Sequence, residues 1–129
     1  MSERDASGTR NTRDNERRRY ERIKIAVPIE IQGDTIGSPI RGATSDLSLG
    51  GCYIETVYPF PVGTNLDLQL SLSVDTIVLV AATVATCDPQ VGNGIRFSRM
   101  LSEDQEALKA FLEAAKQAQE KDAHGAAAG

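Results

Sequence analysis

A chain of 129 residues and 13.9 kDa, 40% hydrophobic and 25% charged, has the size and composition of one compact domain with short tails. No run approaches the ~20 apolar residues of a transmembrane helix, and no apolar segment follows the N-terminal charges to form a secretory leader. Cys52 and Cys87 alone make neither a disulfide framework nor a CxxC site, so a reducing, cytoplasmic compartment is expected.

The net charge of −4 divides unevenly along the chain. Residues 1–22 carry seven Arg against five acids (+2), and residues 23–129 carry seven Lys or Arg against 13 acids (−6). Residues 1–16 are polar and aperiodic, which predicts a flexible tail ahead of a domain over 17–120. Every base before Ile23 is Arg, and Arg17, Arg18, Arg19 and Arg22 cluster there. Arg suits planar, bidentate recognition of phosphate or a base edge. A solvated basic arm is the plainer reading.

From Ile23 the pattern alternates through Ile25, Val27, Ile29 and Ile31, which predicts a strand with one buried face. Pro28 within it indicates an edge position or a bulge. A second strand is expected over Ile40–Leu47, and the glycines of Asp46-Leu47-Ser48-Leu49-Gly50-Gly51 mark a turn into a third over Cys52–Val57. After Pro59-Phe60-Pro61, a fourth strand alternates from Leu66 to Val74. A fifth, Thr76–Cys87, reads as apolar on both faces. Gly92-Asn93-Gly94 is expected to introduce a short last strand through Ile95 and Phe97. Six short strands joined by turns predict a mainly β protein, a six-stranded antiparallel β-barrel whose closure removes exposed edges. Ser102 and Gln105 form a capping-box pattern, opening a C-terminal α-helix with Leu108, Phe111, Leu112 and Ala115 on one face. That helix is expected through about Glu120, followed by a flexible tail over 121–129.

Catalysis has little to work with. The only histidine, His124, falls in the expected tail, so neither a Ser–His–Asp nor a Cys–His arrangement is indicated. No metal site, P-loop or dinucleotide fingerprint is legible. The expectation is a binding protein that is not an enzyme and holds neither metal nor cofactor.

Two features point to a ligand. Arg18 and Arg22 stand four apart just before the first strand, and a cationic segment of this kind can wrap an anion and become ordered in doing so. The second is Asp46-x-Ser48-x-x-Gly51. Asp46 can accept from the N1 and N2 edge of guanine, Ser48 offers a compact hydroxyl, and Gly50 and Gly51 permit positive φ and close backbone approach. A self-capped turn would use the same Asp46 and Ser48 without any ligand.

Taken together, Arg18-Arg19-Tyr20-Glu21-Arg22 and Asp46-Leu47-Ser48-Leu49-Gly50-Gly51 resemble the signature of the PilZ domain family, bacterial receptors for cyclic di-GMP. The segment SDLSLGGCYIET and the GIRF at Gly94–Phe97 add to the resemblance, which spans about residues 16–115. It implies a stand-alone single-domain member that binds cyclic di-GMP through Arg17, Arg18, Arg19, Arg22, Asp46, Ser48, Gly50 and Gly51. An Arg directly before the signature pair, here Arg17, is associated in the family with a stacked pair of ligand molecules. The resemblance further implies a switch that orders the Arg segment and signals to an unidentified downstream protein, in processes such as motility and biofilm formation. Two alternatives stand beside it. One is a PilZ-like adaptor acting by protein contact without nucleotide. The other, a small barrel binding nucleic acid, fits poorly with the −6 of residues 23–129.

Overall fold

The computed structural model describes residues 21–34 and 36–128, and side chains as far as Lys121. Among the described residues it contains β1 (Pro28–Gln32), β2 (Ile40–Leu47), β3 (Gly51–Glu55), β4 (Asn65–Ser71), β5 (Ile77–Asp88), β6 (Gly92–Met100) and α1 (Ser102–Ala128). The strands close into an antiparallel barrel in the order β1-β2-β3-β6-β5-β4. Alternation explains its interior. Ile29 and Ile31, Leu66, Leu68 and Leu70, and Val78, Val80, Ala82 and Val84 all point inward. Leu108 and Leu112, one helical turn apart on α1, join the same core.

Several expectations are corrected. The first strand starts at Pro28, not Ile23, because the backbone ahead of it bonds elsewhere. Ile23 exchanges two backbone hydrogen bonds with Leu47, both 2.9 Å, while the Thr44 hydroxyl accepts from Val27 N at 3.0 Å and donates to Ile25 O at 2.8 Å. Pro28 occupies no edge, since the barrel is closed. It opens the strand, where the missing N–H is tolerated. The fourth strand ends at Ser71, and Val74, 99% exposed, lies in the hairpin beyond it. β5 buries one face only, leaving Ile77 and Leu79 exposed. Gly92-Asn93-Gly94 does not only introduce the last strand but is the buried start of β6, which runs on to Met100. The reversal precedes it, with Gln90 at φ 63°. Finally, α1 does not stop near Glu120 but continues to Ala128, into the segment read as a tail; Ala is the strongest helix former and a single Gly125 costs only about 1 kcal/mol.

The link from β3 to β4 must cross an end of the barrel, because β4 pairs with β1 and β5 rather than with β3. Asn93, 1% exposed, holds that crossing in place. Its Oδ1 accepts from Phe60 N at 2.8 Å, and its Nδ2 donates to Phe60 O at 2.9 Å and to Thr86 O at 3.1 Å. Asn93→Ala would leave these groups without their partner, and buried unpaired groups cost about 1–3 kcal/mol each. We expect a loss of about 2 kcal/mol, read as a lower urea midpoint at unchanged slope. An unmoved midpoint would show that the crossing needs no latch.

Candidate functional site

The site is built around the end of β2. In an uninterrupted strand Thr44 and Asp46 would share one face. Instead Thr44 pairs with Ile54 and Asp46 with Tyr53, leaving Ser45 as an extra residue whose hydroxyl donates to Tyr53 O at 3.3 Å. This bulge shifts the phase by one. Thr44 and Leu47 are both buried, while Asp46 turns to the outer face.

The Ile23–Leu47 bridge then sets Arg22 beside Asp46. Arg22 Nη1 donates to Asp46 Oδ1 at 3.1 Å, with the side chains 58% and 24% exposed. One of the five guanidinium donors is used, so the pair retains most of its capacity for other partners. The same two charges bear on the thiol of Cys52. Burial pushes its pKa up to about 12, with Asp46 adding to the rise and Arg22 opposing it, so Cys52 stays a protonated core residue.

The turn after Asp46 closes on itself. Ser48 Oγ accepts from Gly50 N and Gly51 N, both at 3.1 Å, and donates to Gly51 O at 3.2 Å. The Ser48 side chain is buried and engaged within the turn, as the self-capped alternative anticipates. The positive φ that Gly50 and Gly51 permit is not used: among the described glycines only Gly63 has it, at 92°. Gly51 is required for another reason. A Cβ there would collide with the Ile95 carbonyl oxygen across the β3–β6 ladder.

Arg22, Ser48, Gly50 and Gly51 line a cleft of about 920 Å³, and Asp46 is bound at its rim through Arg22. Arg17, Arg18 and Arg19 lie outside the described residues. The cleft also gathers residues that sequence reasoning did not assign: Tyr53, Phe97, Arg96 and Arg99. Tyr53 is anchored by donating its hydroxyl to Asp88 Oδ2 at 2.7 Å, which pushes its pKa up to about 12. Its ring lies against Gly92, where any Cβ would strike it. Alternation along β6 was the available signal for Arg96, sitting opposite Gly51 in the ladder. Among the described residues no cluster of three His, Cys, Asp or Glu could hold a metal ion, and no helix is long and apolar enough to cross a membrane.

A PilZ domain family model matches residues 16–114. No curated protein matches the chain. Among solved structures, the PilZ domain of Escherichia coli YcgR with c-di-GMP is similar at 18% identity and TM-score 0.68, covering 84% of this chain and 98% of that one. A second structure, Escherichia coli YcgR in complex with c-di-GMP, aligns at 17% identity and TM-score 0.71, with 85% of this chain and 50% of that one covered. The Bacillus subtilis inhibitor of motility, MotI/DgrA, aligns at 23% identity and TM-score 0.65, with 81% and 52% covered. The chain thus spans about half the length of two of these proteins. At such identities the likeness is one of fold.

Proposed function

The chain belongs to the PilZ domain family, and from that premise we propose that it is a cyclic di-GMP receptor acting as an adaptor rather than an enzyme. One observation carries the reading. The two halves of the family signature, 24 residues apart in sequence, meet at 3.1 Å between Arg22 and Asp46 on the rim of an arginine-lined cleft. In the proposed complex Asp46 accepts from guanine N1 and N2, and Arg22, with Arg17, Arg18 and Arg19, serves phosphate and the Hoogsteen edge. Ser48, Gly50 and Gly51 keep the turn in the shape the ligand meets. The c-di-GMP bound by YcgR supports this ligand class, and the inhibitor of motility supports a role in motility control.

The proposed output runs through α1. Glu21 and Lys24 flank Arg22. Lys116 Nζ pairs with Glu21 at 2.8 Å, and Gln119 Nε2 donates to Lys24 O at 2.8 Å. Its hydrogen bond to Glu21 raises the Lys116 pKa, which favours the charged ammonium that the clamp uses. A ligand that engages Arg22 therefore acts on a segment already tied to the helix, and changes the surface shown to a protein partner. We expect residues 10–24 to gain hydrogen-exchange protection when cyclic di-GMP binds. Equal protection in both states would sink the switch while leaving binding intact. Calorimetric stoichiometry tests Arg17 separately: two ligand molecules per chain are expected, and a one-to-one ratio removes the role assigned to it.

A further inference from the structure

We propose that Arg96 and Arg99 of β6 form a second anion subsite in the cleft, holding one phosphate of the cyclic dinucleotide while Arg22 and its neighbours serve the other. The inference rests on the receptor reading above and extends its site to a strand outside the two signature motifs.

The strand register is the first support. Ile95 points inward and Arg96 outward, so continued alternation would send Phe97 and Arg99 in. Phe97 follows that rule and packs against the core. Arg99 does not. Phe97 pairs with Ala82 and Arg99 with Ala81, which leaves Ser98 as an extra residue, its hydroxyl donating to Ala81 O at 2.9 Å. The bulge returns Arg99 to the outer face beside Arg96 and gives the inward phase to Met100, which packs against the core. The same device at Ser45 exposes Asp46.

Charge distribution is the second support. Residues 23–129 total −6, yet among the described residues the cleft is lined by Arg22, Arg96 and Arg99 and by no Asp or Glu. Three of the four described arginines line it, and none of the lysines does. Among the described residues the ion pairs are Arg22–Asp46 and Lys116–Glu21, so Arg96 and Arg99 are without carboxylate partners. With no carboxylate partner among the described residues, two guanidiniums three residues apart on β6 repel each other, and a phosphate between them relieves that repulsion with bidentate hydrogen bonds.

The test is calorimetric titration of the full chain with cyclic di-GMP, comparing wild type with Arg96→Ala, Arg99→Ala and Arg41→Ala. Arg41 removes the same charge from outside the cleft, across the ladder from Glu30. Arg96→Ala and Arg99→Ala should each weaken binding by about fivefold or more, with Arg41→Ala within about twofold of wild type. Should wild type bind and both cleft variants match it, the subsite is overturned and the receptor reading stands. An equal loss in Arg41→Ala would assign the effect to net charge and likewise overturn the subsite. Wild type that takes no cyclic di-GMP removes the receptor reading and the subsite together.

Discussion

Arg22→Ala should weaken cyclic di-GMP binding by about ten- to a hundredfold, because a hydrogen bond from a charged donor contributes about 1.5–3 kcal/mol. Stability without ligand should hardly move. The Arg22–Asp46 pair is largely exposed, and exposed pairs of this kind contribute about 0–1 kcal/mol. The same comparison shows why the pair does not block the site. Opening it costs less than one charge-assisted contact to the ligand returns, and four of the Arg22 donors are already outside the pair. Calorimetry and urea unfolding on the same preparation separate the two effects. An unaltered dissociation constant would remove Arg22 from the site, and a large fall in midpoint would mean that it is structural.

Gly51→Ala should cost about 3 kcal/mol of stability, at the upper end of overpacking penalties. The atom in the way is the Ile95 carbonyl oxygen, which belongs to the β3–β6 ladder and cannot swing aside as a side-chain tip could. Gly42→Ala on β2 is the matching control, since nothing stands within 4 Å of its added Cβ. The expected result is a lowered urea midpoint for Gly51→Ala alone. If Gly51→Ala keeps its midpoint but loses ligand binding, the glycine serves the ligand's approach rather than the sheet.

Alternation in the first and fourth strands and turn residues between the others were enough to place six strands along the chain, and β2 falls on its expected bounds. What alternation could not supply was the position of extra residues, because a bulge depends on which residues face each other across two strands. Hence the outward turns of Asp46 and Arg99, which decide the chemistry of the cleft, needed the paired strands to be seen. Gly92-Asn93-Gly94 was read as leading into the last strand rather than as part of it for a related reason. Turn residues by local preference, they are strand residues here because neighbouring strands leave no room for a Cβ at either glycine, while the asparagine amide fastens a distant loop. The Ile23–Val27 segment shows the reverse: Ile23 and Val27 are buried as alternation predicts, but their hydrogen bonds go to one bridge and one threonine.

Parallel calorimetric titration of the full chain with cyclic di-GMP, GMP and single-stranded DNA decides whether the protein is a receptor for the cyclic dinucleotide. Saturable binding of cyclic di-GMP is expected, with GMP far weaker and DNA without effect, since GMP offers one guanine and one phosphate and DNA meets a chain of net charge −4. No heat with cyclic di-GMP, or equal binding of DNA, would contradict it.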